Sequence, residues 1–243
     1  MSSPTALITG ASGGIGSAIA EKLASEGCPV ILVSHIHKEK TDALAAAITG
    51  RGGKALSLAA DLSDAASCEA LFLVAEAFCG GPDILVNCAG ISRVGVFQEL
   101  SEADWQQLLA VNVTSVYHTC RAVIPLMLRK GGGKILNISS VWGQAGASCE
   151  AAYSATKGAV DALSRALGKE LAPSGIQVNA LALGAVDTAM NAWLAPDERA
   201  ALEEEIPAGR FASPKEAAEA AWSILSAGPY LTGQVIRVDG GWI

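Results

Sequence analysis

A glycine-rich loop that directly follows the first apolar run constrains the fold of this chain more than any other feature. The apolar run covers residues 5–9, the loop covers residues 10–16, and apolar residues then recur at helical spacing up to Gly27. Glycines let a backbone approach a pyrophosphate closely, and the N-terminus of the following helix supplies N–H donors and a favourable dipole. A tight turn without a ligand is the alternative, but the position after the first strand favours nucleotide binding.

Strand patterns alternate with helical patterns along the whole chain. The further strand patterns cover residues 30–33, 54–58, 83–87, 134–138, 176–181 and 234–238. The further helical patterns cover residues 38–48, 101 to about 129, 196–205 and 214–225. Two more end at residue 78, after the third strand, and at residue 171, after the fifth strand. No linker or repeat interrupts this order. The sequence therefore predicts an α/β fold: a single-domain, Rossmann-like, doubly wound parallel sheet of about seven strands over residues 1–243, with helices on both faces.

Composition narrows the classes of function. Hydrophobic residues make up 51% and charged residues 17% of the 243 residues, which argues against a disordered chain. The net charge of −7 and the lack of a basic run argue against nucleic acid or an anionic membrane as partner. The sequence has no apolar run as long as a membrane span and no signal-peptide core, and its six cysteines lack zinc spacing. We expect a soluble, cytoplasmic protein with reduced thiols and no metal site.

Tyr153 and Lys157 lie four residues apart in a long alanine-rich helical pattern. This spacing places the phenol and the ammonium on one helix face, one turn apart. A phenol has a pKa of about 10, and a nearby cation favours the phenolate and lowers that pKa. Such a tyrosine can donate a proton to a developing alkoxide or take one from an alcohol. A surface helix with a solvated lysine is the alternative for this pair taken alone.

With these motifs the chain resembles the short-chain dehydrogenase/reductase family over essentially its full length. Residues 9–16 match the family's cofactor loop, and residues 87–90 are similar to its Asn-Asn-Ala-Gly element, with Cys88 in place of the second Asn. The family's catalytic tetrad is matched in order and spacing by Asn112, Ser140, Tyr153 and Lys157. Within the family, residues 206–210 and the ending at 240–242 resemble bacterial 3-oxoacyl-acyl-carrier-protein reductases, enzymes of fatty acid biosynthesis.

The resemblance implies a role for each residue of the tetrad. Tyr153 would be the general acid in reduction, and Lys157 would lower the pKa of Tyr153 and hydrogen-bond the nicotinamide ribose. Ser140 would hold the carbonyl oxygen and stabilise the charge that develops on it. Asn112 would support a water that relays protons to Lys157, or would satisfy backbone groups freed at a helix kink, and the two roles are compatible.

The resemblance also implies a nicotinamide cofactor. Asp61 would meet the adenine amino group, with a helix cap as its alternative role, while the segment after the fourth strand would line the adenosine ribose. Val186 and Thr188 would meet the carboxamide. Leu183 replaces the family's usual proline, which predicts a more mobile loop. The predicted cofactor-binding residues are Gly10, Ser12, Gly13, Gly14, Ile15, Gly16, Ser34, His35, Asp61, Leu62, Asn87, Ala89, Gly90, Tyr153, Lys157, Gly184, Val186 and Thr188.

The end of the second strand bears on the choice between NAD and NADP. A carboxylate there would bind the ribose hydroxyls and repel a 2′-phosphate. The stretch after residue 33 has no carboxylate before Glu39, and Ser34, His35 and Lys38 are predicted to face the phosphate. Gly13 stands where many NADP-using relatives carry an arginine. We therefore expect NADP(H) to be favoured over NAD(H).

The predicted substrate side comprises the loop at residues 141–150 and a lid at about residues 184–212. In the loop, Trp142 and Cys149 would form apolar wall, while Gln144 and Glu150 would meet a polar group. The loop is similar to that of a subgroup proposed to reduce a ketone on a lysine-derived modification of translation elongation factor P. Glu150 could pair with an amine on such a substrate, or it could start the next helix, where its charge suits the dipole.

These features predict an NADPH-dependent reductase of a small-molecule or carrier-bound carbonyl, foremost a 3-oxoacyl thioester. The elongation-factor modification is one alternative substrate, and an NAD-linked dehydrogenase of an alcohol, sterol or polyol is another reading. A nucleotide-sensing protein without chemistry would be a different class, but such a protein would usually lack Tyr153 or Lys157. By analogy with the family we expect a homotetramer.

Overall fold

Seven parallel strands form one sheet in the computed structural model, which describes residues 3–243. They are β1 (Ala6–Thr9), β2 (Val30–Ser34), β3 (Ala55–Ala59), β4 (Ile84–Asn87), β5 (Gly133–Ser140), β6 (Ile176–Leu183) and β7 (Val235–Val238). The order across the sheet is β3-β2-β1-β4-β5-β6-β7, so the chain returns from an edge at β3 to the middle at β4. That reversal places a switch point between β1 and β4, and the predicted fold class is confirmed.

Helices cover both faces of the sheet. They are α1 (Gly14–Ser25), α2 (Lys38–Gly50), α3 (Ala65–Cys79), α4 (Glu102–Leu109), α5 (Ser115–Lys130), α6 (Trp142–Ala145), α7 (Ala151–Leu171), α8 (Pro196–Glu205) and α9 (Pro214–Ser226). One hydrophobic core lies between the sheet and α1, α2 and α9, and the other lies between the sheet and α3, α5 and α7. No helix within residues 3–243 is both long and apolar enough to cross a membrane.

The apolar runs of the sequence supply both cores at once. Neighbouring side chains of a strand point to opposite faces, so Leu32 of β2 enters one core and Ile31 enters the other. Both side chains are fully buried. Each such burial stabilises the fold by about 1.5–3 kcal/mol, which explains why unbroken apolar runs predicted the strands well.

The structure differs from the sequence prediction where the chain approaches the carboxyl edge of the sheet. β5 and β6 each extend two residues beyond the predicted end, so Ser140 belongs to the strand. The single helix predicted from residue 101 contains a π-helical turn, Ala110–Thr114, between α4 and α5. The cap of α3 is Asp64, whose carboxylate accepts from the N–H of Ser67, and not Asp61.

Candidate active site

The glycine loop and the segment after β4 are tied together at the switch point. Gly10 has a φ of +65°, and a Cβ there would lie 2.8 Å from the Cα of Ala89, so only glycine fits this close approach. The hydroxyl of Thr9 accepts hydrogen bonds from the N–H groups of Cys88 and Ala89, at 3.0 and 3.1 Å. The two predicted cofactor segments therefore form one cradle.

The N-terminus of α1 opens into this cradle. Its N-cap residue, Gly13, has no side chain and makes no capping bond, whereas Asp64, Ser101 and Ser213 cap other helices with their side chains. The first-turn N–H groups of α1 thus remain free to bind an anion, where the helix dipole also favours negative charge. A Cβ on Gly14 would lie 3.0 Å from the methyl group of Thr188. These features fit the pyrophosphate of a dinucleotide.

Lys157 is buried on α7 and points toward the end of β5. Only 6% of its surface is exposed, and Nζ donates a hydrogen bond of 2.9 Å to the carbonyl oxygen of Ile138. The same Nζ lies 5.6 Å from the centroid of the Tyr153 ring. A Cβ on Gly90 would lie 3.5 Å from Lys157 Nζ and from Asn112 Oδ1. The structure thus brings the segment after β4, the π-helical turn before α5, and α7 to one point beside the cradle.

The acidity of Tyr153 differs from the sequence prediction. Burial and the carboxylate of Glu150 raise the pKa of Tyr153, and a hydrogen bond with Ser140 opposes them. Lys157, which the sequence predicted to lower this pKa, is not among the groups that shift it, and burial lowers the pKa of Lys157 as well. A tyrosine in these surroundings keeps its proton at neutral pH and is available as an acid.

Ser140 and its neighbour Ser139 face different surroundings at the end of β5. The Ser140 hydroxyl accepts from the N–H of Trp142 at 3.2 Å and lies beside the Tyr153 phenol. Ser139 is buried and lies 3.4 Å from the backbone oxygen of Lys157. Because successive side chains of a strand point to opposite faces, Ser140 lies beside Tyr153 and Ser139 does not.

The π-helical turn places Asn112 against the loop after β4. Its Oδ1 accepts from the N–H of Ile91 at 2.9 Å, while Nδ2 donates to the Ile91 carbonyl at 2.9 Å and to the Thr156 hydroxyl at 3.1 Å. Asn112 therefore satisfies backbone groups, as one of its predicted roles required, although these groups belong to the loop and not to its own helix. π-turns of this kind occur frequently at functional sites.

Four predicted cofactor residues have side chains that turn into the interior. Asn87 bonds Asn137 and Thr119, and the Ser34 hydroxyl pairs with Thr41. The side chains of Leu62 and Val186 belong to the two hydrophobic cores. The predicted contact of Ser34 with a phosphate stays a prediction, but its buried hydroxyl is already paired, so these four residues offer a cofactor chiefly their backbone.

His35 and Asp61 are exposed at the edge where the adenosine half is expected. His35 Nε2 lies 4.0 Å from Asp61 Oδ2, and the Asp61 carboxylate accepts from the N–H and hydroxyl of Ser63. These bonds hold the pKa of Asp61 below its usual range, so it stays ionised. Lys38, predicted to face the phosphate, instead forms an ion pair with Asp42 on its own helix. Of Ser34, His35 and Lys38, the three residues predicted to face the phosphate, His35 is the one whose side chain remains available to a ligand.

The predicted substrate loop is anchored at both ends. Trp142 packs edge-on against Trp242 near the C-terminus, with ring centroids 4.7 Å apart. Glu150 accepts a hydrogen bond of 2.5 Å from the hydroxyl of Ser92. Cys149 is exposed and has a positive φ of 61°, while Gln144 is exposed on α6. The sequence did not single out Ser92 or Trp242, because neither shares a spacing pattern with the loop.

The loop after β6 is more firmly held than its missing proline predicts. Leu183 is buried, and its carbonyl accepts from the N–H of Val141 at 3.0 Å. Gly184 donates to the carbonyl of Val238, and a Cβ on Gly184 would lie 2.9 Å from the Cα of Asp239. Sheet pairing on both sides thus fixes the backbone that a proline would otherwise restrict.

A nucleotide cradle beside a partly buried tyrosine and a buried lysine, at the switch point of a parallel sheet, is the arrangement of an oxidoreductase that uses a nicotinamide cofactor. Comparison with known proteins agrees. Residues 4–199 match the short chain dehydrogenase family, and the chain belongs to that family. It is an NAD(P)-dependent oxidoreductase.

Its relatives include proteins of different kinds. The uncharacterized oxidoreductase YmfI of Bacillus subtilis is 41% identical over 240 residues, which cover 98% of each chain. The 3-oxoacyl-[acyl-carrier-protein] reductase FabG of Vibrio harveyi is 37% identical over 97% of this chain and 96% of its own. A crystal structure of a gluconate 5-dehydrogenase from Burkholderia cenocepacia, in complex with NADP and tartrate, superposes with a TM-score of 0.95 at 35% identity, covering 100% of this chain and 96% of that one.

Proposed function

We propose that this protein reduces a carbonyl group to a secondary alcohol with NADPH, and that its substrate is a 3-oxoacyl thioester. The observation that carries the proposal is the meeting of Tyr153, Ser140 and Lys157 beside the glycine cradle. The cofactor, when bound, supplies the hydride that reaches the carbonyl carbon. The residues of the chain supply the proton for the oxygen and the field that stabilises it.

Tyr153 is the proton donor in this proposal. Its hydroxyl is protonated at neutral pH, as an acid must be, and the Lys157 cation 5.6 Å from the ring centroid favours the loss of that proton to a developing alkoxide. Ser140 lies next to it and donates a hydrogen bond to the same oxygen, where charge grows in the transition state. The balance is simple, because one hydride adds to carbon and one proton adds to oxygen.

Lys157 supports both the cofactor and the proton transfer from that tyrosine. Its ammonium lies near the ring of Tyr153 and near Gly90, so it can donate to a ribose hydroxyl while its charge favours the transfer of the phenolic proton. Asn112 keeps the loop at Ile91 in place through its three hydrogen bonds. That loop carries Gly90, so Asn112 also shapes the floor under the ribose.

The end of β2 supports NADP(H) over NAD(H). Residues 35–38, which follow β2, include His35 and no carboxylate, so a 2′-phosphate would meet no repelling group on that turn. The carboxylate of Asp61 lies 4.0 Å from His35 Nε2, after β3 and not on that turn. The solved gluconate 5-dehydrogenase was found with NADP, which agrees with this preference.

The lid supports a substrate with an apolar chain. Met190 and Trp193 lie in the segment after β6, three residues apart, and are 44% and 57% exposed, so both offer apolar surface to a ligand. An acyl chain that entered over the site would bury them. This feature and the relative FabG favour a 3-oxoacyl thioester over a small polar ketone.

Glu150 favours a second candidate, the ketone-bearing modification of translation elongation factor P. The carboxylate stands between the substrate loop and Tyr153, close enough to raise the pKa of that phenol, and is fixed by Ser92. An amine on the substrate would pair with it. A neutral thioester would offer the Glu150 carboxylate no positive charge to pair with.

Purified protein tests the proposal by turnover of acetoacetyl thioesters, simple ketones and ketones that carry an amine. We expect the thioester to be reduced with the highest kcat/KM, and NADPH to be used at least about tenfold better than NADH, which corresponds to about 1.4 kcal/mol. A preference for the aminoketone would favour the second candidate. Equal or better turnover with NADH would contradict the assigned cofactor.

We further propose a homotetramer, in line with the family. Tyr117 and Leu128 are about half exposed on the outer face of α5, which offers apolar area for a partner. Solution scattering should give the mass of four chains, and Tyr117→Glu should lower it. Leu73→Glu is the matched control, because Leu73 is 69% exposed and lies on α3 rather than on α5. A monomeric mass for the unaltered protein would contradict the proposal.

A further inference from the structure

A carboxylate lies buried one turn beyond Lys157 on α7. Asp161 is 1% exposed, and within the described part of the chain neither of its carboxylate oxygens has a hydrogen-bond partner. It follows Lys157 by four residues, the spacing that places two side chains on one face of a helix. Burial of an unpartnered carboxylate opposes folding, so its presence beside the site calls for a function other than stability.

The groups that face Asp161 come from three elements. They are Ser139 of β5, Gln144 of α6, and Lys157 and Arg165 of α7. Burial raises the pKa of Asp161, and all four neighbours oppose that rise. Arg165 is exposed to solvent, whereas Lys157 is buried. Because screening by water weakens the effect of the exposed Arg165, we take Lys157, the buried cation on the same face of α7, as the partner charge of Asp161.

Lys157 in turn has few neighbouring groups that could stabilise its positive charge. Burial lowers its pKa, and only Cys88 and Asp161 oppose that effect. Burial raises the pKa of the Cys88 thiol to about 12, so this thiol is neutral at neutral pH. The Tyr153 phenol is neutral as well, because its pKa is also raised. Asp161 is the carboxylate that remains.

We propose that Asp161 is a positioning residue that acts through Lys157: its buried carboxylate is the counter-charge that keeps the lysine protonated at the pH of catalysis. It touches neither substrate nor cofactor. The inference rests on the proton-transfer role proposed for Tyr153 and Lys157, but not on the identity of the carbonyl substrate. A neutral Lys157 would lose its effect on the phenolic proton.

Asp161→Asn removes the charge and keeps the shape. The carboxylate raises the pKa of Lys157, so its loss should move the alkaline limb of the reduction profile to lower pH. We expect a shift of about one unit, and a fall in kcat of about tenfold on that limb with KM for NADPH little changed. Asp161→Glu keeps the charge and should restore the limb. Glu170→Gln is the matched control, since Glu170 is exposed on the same helix.

Two measurements do not depend on turnover. Carbon NMR of ¹³Cε-labelled lysine, assigned with Lys157→Met, should show a lower pKa for Lys157 in Asp161→Asn than in the unaltered protein. Carbon NMR of ¹³Cγ-labelled aspartate in the unaltered protein should show Asp161 ionised at neutral pH. A merely structural role for Asp161 would leave the pKa of Lys157 unchanged in Asp161→Asn.

The outcomes separate the two proposals. A protonated Asp161 at neutral pH, or an unshifted Lys157 pKa in Asp161→Asn, would overturn the inference and leave the proposed function intact. An equal shift in Glu170→Gln would overturn it too, because a general charge effect would then explain the result. Full activity of Tyr153→Phe would instead remove the proton-transfer role on which both proposals depend.

Discussion

Replacement of Tyr153 by phenylalanine is expected to reduce kcat about 10²- to 10⁴-fold, the contribution usual for a positioned general acid. The change removes one hydroxyl and leaves the ring that packs near Lys157. Since Ser140 can hydrogen-bond a carbonyl oxygen but is a poor proton donor at neutral pH, it cannot replace the lost group. Single-turnover reduction, followed by the loss of NADPH absorbance, measures this step directly.

The variant should still bind the cofactor, because the glycine loop lies between β1 and α1 and the change leaves Lys157 in place. Calorimetric titration with NADPH separates binding from chemistry. Tyr230→Phe is the matched control: Tyr230 is fully exposed, so the same loss of a hydroxyl should leave kcat unchanged. If Tyr153→Phe kept the kcat of the unaltered protein, the general-acid role would be wrong.

The electrostatics of this tyrosine could be predicted only in part. The sequence predicted a lowered pKa from the lysine one turn away, because spacing reveals the neighbour but not the surroundings of both groups. The structure adds that burial and the carboxylate of Glu150 raise the pKa, while a hydrogen bond with Ser140 opposes them. The phenol is therefore protonated at neutral pH, the state in which it can act as an acid.

Local rules explain what could be predicted from the sequence. The strand at residues 30–34 is unbroken and apolar because both faces are covered, and Ser101 begins α4 because its hydroxyl accepts from the N–H of Asp104. The Tyr153 and Lys157 pair could be assigned to one helix face from spacing alone. Each of these features depends on residues close together in the chain.

Features that depend on packing between distant segments could not be predicted in this way. Ser34 and Asn87 stand at strand ends next to the expected cofactor, yet their side chains turn inward to partners on other elements. The π-turn at Asn112 has no repeating pattern, since it is set by its bonds with Ile91. Asp161 was overlooked because burial without a hydrogen-bond partner can be recognised only in three dimensions.

Replacement of Gly16 by alanine is the second large effect we expect, and it concerns the cradle. Alanine would normally strengthen a helix relative to glycine by about 1 kcal/mol. Here a Cβ would overlap the carbonyl oxygen of Gly10 and lie 2.9 Å from its carbonyl carbon, both of which are backbone atoms. The Gly10 carbonyl also accepts from the N–H of Gly13, so moving it opens the turn that precedes α1.

Overpacking of this kind costs about 1–3 kcal/mol, which outweighs the gain in helix propensity. We therefore expect Gly16→Ala to lower the free energy of unfolding by that order in urea titrations, and to weaken NADPH binding at least about tenfold, since every 1.4 kcal/mol lost is a factor of ten. Gly50→Ala is the matched control, because Gly50 ends α2 and a Cβ there would meet nothing within 4 Å. It should bind NADPH normally and be as stable or slightly more stable. Unchanged NADPH affinity in Gly16→Ala would mean that the turn between β1 and α1 does not hold the cofactor.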